Sequence, residues 1–199
     1  MTIAIIGNGA VGNALGGLLA DGGHEVTFGG RGGPGVRPVA EAARAGRLIV
    51  LAVPFTAVAG LAAELAPAAV GKVVVDATNP LGANWSPLEL PGGESAGEQV
   101  QRMLPGARVV KAFNTVFADN MRPDRLACDG RRLTAFVAGD DAAARATVAA
   151  LARDAGFEPV ETGPLRTARY LEAIAHLNIQ LAVGMGAGTH SGFLYVRKT

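Results

Sequence analysis

"IAIIGNGAVGNALGGLLADGG", running from Ile3 to Gly23, decides the fold of this chain. The apolar run Thr2–Ile6 has the length and composition of a strand buried on both faces. From Val11 to Ala20 the apolar residues Val11, Leu15, Leu18 and Leu19 recur at helical spacing, and Gly22-Gly23 closes that helix. Between the two stands Gly7-Asn8-Gly9-Ala10-Val11-Gly12, a G-x-G-x-x-G pattern. A chain with 28 glycines can produce the pattern by chance. Its placement directly after a strand and at the opening of a helix is the context that a dinucleotide phosphate site requires. Gly7 permits the tight turn, Gly9 lets the backbone approach a pyrophosphate, and Gly12 lets helix and strand pack closely. The helix N-terminus adds free N–H groups and a favourable dipole.

The second strand, "HEVTF" (His24–Phe28), runs into "GGRGG", where no acid is found. A carboxylate in this region would bind the ribose 2′-hydroxyl of NAD and repel a 2′-phosphate. Arg31 stands there instead, and a guanidinium can pair with the phosphate through two charge-assisted bonds. The expected cofactor is NADP(H).

Further strands are expected in "RLIVLAV" (Arg47–Val53), "KVVVDA" (Lys72–Ala77), "ARVVKAF" (Ala107–Phe113), "LTAFVA" (Leu133–Ala138) and "FEPVET" (Phe157–Thr162). Helices are expected over Thr56–Leu65, over Ser95–Met103 and from Asp140 onward. Ser95 and Glu98 have capping-box spacing. The tail from Thr167 to Val183 is helical, with Tyr170, Leu171, Ile174, Leu177, Asn178 and Leu181 along one side. Strands alternating with helices predict an α/β Rossmann-like, doubly wound, mostly parallel sheet. Residues 1–165 form the NADP(H)-binding domain, and 166–199 form a short C-terminal helical extension on the substrate side or at a dimer contact.

A net charge of +1 supplies no field for nucleic acid or an anionic membrane. The mean hydropathy of +0.28 directs attention to the uncharged run Leu48–Ala63, but Pro54 and Gly60 interrupt it and it is short for a span. A strand opens the chain at once, leaving no room for a signal peptide. The single cysteine, Cys128, forms no internal disulfide and suits a reducing compartment. A cytoplasmic protein is expected.

"IAIIGNGAVGNAL", "HEVTFGGR", "LIVLAVPF", "VVVDATNPL", "VVKAFNTV", "FVAGDD" and "ARYLEAIA" together resemble the NADPH-dependent oxidoreductases related to the F420:NADP oxidoreductases. "DATNP" and "VKAFNT" also resemble the NADPH domain of the STEAP metalloreductases. The resemblance covers nearly the whole chain and implies how its loops cooperate. The loop with Val53, Pro54 and Phe55 would cover the pyrophosphate and nicotinamide ribose. Thr78 and Asn79 would stand at the same mouth, and Ala112, Phe113 and Asn114 near the nicotinamide. An Asn114 amide can bond a carboxamide both ways; otherwise Asn79 sets a turn and Asn114 caps a following helix.

Two departures from the family pattern stand out. Gly30 occupies a position where relatives often carry a serine or threonine that also holds the 2′-phosphate. Only Gly32–Arg47 joins Arg31 to the next strand, room for one extended piece, Val36–Val39, and one short helix. The helix that normally follows the second strand is missing, and Arg37 is a candidate to replace part of the adenine recognition.

Hydride transfer to a flavin-like ring needs alignment more than proton transfer, which fits the lack of an acid–base dyad. Lys111 and Asn114 are the candidate catalytic residues; Lys111 serves either as electrophile or proton donor, or in a structural pair. His176 and His190 lack metal-ligand spacing, His24 is a loop residue just before the second strand, and no metal is expected. The acceptor is a small molecule, coenzyme F420 or a flavin. Two other readings stay open: reduction of a metal complex or small oxidant, and a non-catalytic NADP(H) sensor. The apolar tail helix points to a homodimer, or to a helix folded back on its own sheet.

Overall fold

The computed structural model describes residues 1–197. β1 (Thr2–Ile6) feeds α1 (Ala10–Asp21), which returns the chain to β2 (Glu25–Gly29). Next come β3 (Val36–Arg37), α2 (Val39–Ala45), β4 (Leu48–Leu51), α3 (Phe55–Ala69), β5 (Val73–Asp76), α4 (Ala96–Met103) and β6 (Arg108–Lys111). A hairpin of β7 (Ala127–Cys128) and β8 (Arg131–Arg132) precedes β9 (Thr134–Gly139), α5 (Ala142–Asp154), β10 (Glu158–Gly163) and α6 (Ala168–Ile179). The main sheet has the order β10-β9-β6-β5-β4-β1-β2-β3. It is parallel throughout except where β9 meets β6. Strand order reverses between β1 and β4, so a crevice opens there at the carboxyl ends of the strands.

Alternation along the strands explains the layers. Ile3 and Ile5 point to the face covered by Leu15 and Leu19 of α1 and Val148 of α5. Ala4 and Ile6 point to the opposite face, under Val39 of α2 and Val58 and Leu65 of α3. With both faces covered, a strand has no polar side, and its sequence reads as a continuous apolar run.

Several elements differ from the sequence-based expectation. α3 continues past Leu65 to Ala69, carrying Pro67 in its last turn at the cost of one backbone bond. α5 starts after Asp141, whose carboxylate accepts from the N–H of Ala144 at 2.7 Å. Asp140 instead accepts from the N–H of Leu165 at 2.9 Å. The extended piece after Arg31 is only Val36–Arg37, because Val39 already belongs to α2. β3 pairs parallel to β2 with no helix between them, which leaves a bare loop, Gly30 to Gly35, at that edge.

The largest difference concerns α6. Leu171, Ala175, Asn178 and Ile179 are buried, whereas Tyr170 and Leu177 are exposed. The helix is rotated relative to a purely apolar reading because Glu172 is drawn inward. Its carboxylate accepts from the N–H groups of Ala96 and Gly97 at 2.9 and 3.1 Å and meets Lys111 Nζ at 2.8 Å. A second tie joins the same helices. Ser95 and Glu98 form the expected capping box, and Arg169 donates two 2.8 Å bonds to Glu98. Those Arg169 bonds, with help from Ser95, hold the Glu98 carboxyl at about 2, below its ordinary value.

Candidate functional site

The turn after β1 is built by steric necessity. Gly7 has φ +115°, and a Cβ there would lie 2.3 Å from the Ala52 carbonyl oxygen. A Cβ on Gly12 would lie 2.0 Å from the Gly7 oxygen. Both positions therefore serve the contact of strand, turn and helix. Gly9 is different: its backbone is extended, and no atom lies within 4 Å of where its Cβ would stand. α1 has no side-chain cap and no acid in its first turn. Its first N–H groups thus face an open cradle, which suits an anion.

The cradle opens into a cleft of about 500 Å³ along the carboxyl ends of β1, β4, β5 and β6. Of the expected cofactor contacts, Gly9, Ala10, Val11, Val53, Pro54, Phe55, Thr78, Asn79, Phe113 and Asn114 line it. Gly7, Gly12 and Ala112 do not line it; Ala112 is fully buried at the end of β6. Asn8, Gly30 and Arg31 lie outside it, on the side of the β2 loop. Asn8 links the two regions, donating to the Gly32 oxygen at 3.3 Å while its own carbonyl accepts from Asn13 at 2.8 Å. Arg31 is exposed. The Gly30 N–H donates to the Arg37 carbonyl at 3.0 Å, which brings Arg37 beside the same loop. Arg37 pairs there with Glu41 at 3.4 Å.

The polar groups of the cleft are fixed by neighbours. Asn114 Nδ2 donates to Asn79 Oδ1 at 3.0 Å and to the Leu171 carbonyl at 3.2 Å, and Asn79 Nδ2 donates to the Asn114 carbonyl at 2.8 Å. Asn114 Oδ1 and Thr78 Oγ1 remain buried with no protein partner. Leaving such a group unpaired costs about 1–3 kcal/mol, and a ligand amide or hydroxyl in the cleft would recover it. Asn114 does not cap a helix, because only a short 3-10 turn, Ala118–Asn120, follows β6. Phe113 is held at φ +64° and is buried, the kind of backbone strain that gathers at ligand sites.

Lys111 is absent from the cleft lining and is fully buried. Its ammonium donates to Asp76 Oδ2 at 2.9 Å and to the Thr78 carbonyl at 2.6 Å, and meets Glu172 at 2.8 Å. All three donors are thereby used, so it presents no proton to a ligand. Burial works against its charge, but the carboxylates of Asp76 and Glu172 outweigh it and hold its pKa above the ordinary value. Its role is to position residues. Asp76 Oδ1 accepts from the Thr78 N–H at 2.9 Å, so the same cluster fixes the loop that carries Thr78 and Asn79.

Only the C-terminal share of the far half of the cleft was legible in the sequence, through the extension placed on the substrate side. Trp85, Phe117, Asn178 and Ile179 line it. No motif marked Trp85 or Phe117, and the one signal was a lone tryptophan in the loop "GANWSP". The other candidates lie elsewhere. His24 pairs with Asp154 at 3.1 Å, His190 lies 2.7 Å from Arg125, and Cys128 is exposed in the β7–β8 hairpin. Burial lowers the His176 pKa. Among the described residues no group of three or more metal-ligating side chains occurs, and no helix is long and apolar enough to cross a membrane. A smaller hollow of about 320 Å³, bounded by Gly22, Leu126 and Arg132, touches none of the strand ends that build the cradle.

Residues 2–80 match the family described as NADP oxidoreductase, coenzyme F420-dependent. The structure is similar to that of a candidate F420-dependent NADP-reductase from Arthrobacter sp. FB24, with TM-score 0.87 and 34% identity over 99% of this chain and 100% of that one. It is also similar to a hypothetical protein of Sinorhizobium meliloti, with TM-score 0.74 and 30% identity over 84% and 87% of the two chains. Metalloreductase STEAP3 of Rattus norvegicus is 34% identical over 120 residues, which are 60% of this chain and 22% of that protein. The chain spans about a fifth of the length of the curated relatives it matches.

Proposed function

The chain belongs to the coenzyme F420-dependent NADP oxidoreductase family, and from that premise we propose that it exchanges hydride between NADP(H) and a deazaflavin (F420) or flavin ring. The observation that carries it is one continuous cleft that begins at an open anion cradle, passes two unpartnered polar atoms and ends in an apolar chamber.

Bound NADPH supplies a hydride from its nicotinamide ring, the acceptor gains that hydride and a proton from water, and NADP⁺ remains. The chain's contribution is grip, alignment and exclusion of water. The first N–H groups of α1 hold the pyrophosphate. Arg31 grips the 2′-phosphate, with Gly30 beside it and Arg37 on the adenine side. Asn114 Oδ1 accepts from the carboxamide, and Pro54 and Phe55 wall the ribose. Ring alignment at near-attack distance supplies much of the rate advantage, so no acid–base residue is required.

The test is to mix the protein with NADPH and F420, FMN or a ferric chelate and to follow the loss of reduced-nicotinamide absorbance. Turnover with F420 or FMN is expected. The likeness to STEAP3 favours a second reading, and turnover with the ferric chelate alone would replace the first by it. Tight NADPH binding with no turnover would make the chain a sensor.

The homodimer belongs to the same proposal. Tyr170, Leu177, Leu181, Val183 and Met185 leave a row of large apolar side chains exposed on and beyond α6, more than single scattered residues would explain. Sedimentation is expected to give twice the 20.1 kDa chain mass, and Leu177→Glu to shift it toward the monomer. A wild-type monomer at every concentration would remove the dimer.

A further inference from the structure

Extending that acceptor reading, we propose that Trp85 is the platform on which the acceptor's flat tricyclic ring stacks. The cleft is divided chemically. Its unpartnered polar atoms belong to Thr78 and Asn114, whereas the far wall is lined by Trp85, Phe117 and Ile179 together with Asn178, whose amide is already bonded to the Thr115 carbonyl and Ser191 Oγ. A wall of this composition suits a broad aromatic face better than a hydrated ion.

The backbone of the loop that carries Trp85 is held in place at a cost. Asn84 and Trp85 sit at φ 57° and 63°, both left-handed. For a residue as bulky as tryptophan this is an outlier, and such strain persists only where the surroundings over-determine it. Here they do. Leu81 and Pro87 form an antiparallel bridge, the Gly82 N–H donates to the Ser86 carbonyl and the Leu88 N–H to the Pro80 carbonyl, each at 2.8 Å. Ser86 Oγ closes the loop by donating to the Ala83 carbonyl at 2.9 Å. Trp85 is thus 54% exposed while it lines the cleft. A large apolar ring left uncovered gains from a flat partner laid on it. Flavins and deazaflavins share that tricyclic shape, so the platform alone does not separate them.

Trp85 is the only tryptophan, so its fluorescence reports directly on the contact. Titration with riboflavin, FMN and F420, with inner-filter correction, is expected to quench it at saturation, and the arm with the lowest Kd identifies the source of the ring. Trp85→Ala should raise the acceptor Kd, measured by ultrafiltration, roughly tenfold or more; Trp85→Phe should recover most of it, and NADPH affinity should stay within twofold. Wild-type turnover with an unchanged acceptor Kd in Trp85→Ala would overturn the platform and leave the acceptor reading standing. An equal loss of NADPH affinity would move Trp85 to the nicotinamide side and also overturn it. No binding of any tricyclic ring by the wild type would overturn both.

Discussion

Gly9→Ala is expected to keep the melting temperature of the wild type and to lose NADPH affinity by a hundredfold or more. No atom lies within 4 Å of the new methyl group, and the extended backbone of Gly9 accepts an L-residue without strain. The free chain has nothing to rearrange. With cofactor bound as proposed, the methyl group would stand in the cradle and lift the pyrophosphate off the N–H groups of α1. Two charge-assisted bonds at about 1.5–3 kcal/mol each account for the loss. Gly7 and Gly12 provide the contrast, since a Cβ there would enter carbonyl contacts at 2.3 and 2.0 Å and would damage the fold itself. Calorimetric titration beside thermal melting separates the two cases. A Gly9→Ala protein that binds NADPH normally would place the pyrophosphate somewhere else.

The second large effect falls on stability. Lys111→Met should cost about 3–5 kcal/mol, because it strands the Asp76 and Glu172 carboxylates in the interior. At roughly 2–4 °C per kcal/mol for a chain of this size, the melting temperature should fall by about 10 °C. The sign against pH follows from the raised pKa of Lys111. Its stabilisation is fully present below the ordinary lysine value and disappears only as pH rises through the folded-state value, so the wild type should show no loss from this group near neutrality. Thermal melts of both proteins across neutral and alkaline pH check this. An unchanged melting temperature with a large fall in kcat would contradict the positioning role and return Lys111 to catalysis.

The legible parts of this molecule are those determined locally. The βα turn at Gly7–Gly12, the Ser95–Glu98 capping box and the doubly buried strands carry their instructions within a few residues. The orientation of α6 is decided by Glu172 meeting a lysine on β6 and the start of α4, and apolar spacing along the helix contains none of that. Lys111 was ambiguous for the same reason, since its partners lie on other elements. The Asn114 cap failed because no α-helix directly follows β6 for it to cap. Trp85 was missed because a left-handed tryptophan is dictated by the closure of its loop, and no local preference announces it.

We propose that cofactor choice turns on Arg31, and calorimetric titration with NADPH and NADH measures it most directly. The wild type should bind NADPH the more tightly, and Arg31→Ala should lose roughly tenfold or more for NADPH while leaving NADH almost unchanged, as removal of a charge-assisted phosphate contact requires. Equal losses for the two coenzymes, or a wild type that binds neither, would contradict the account.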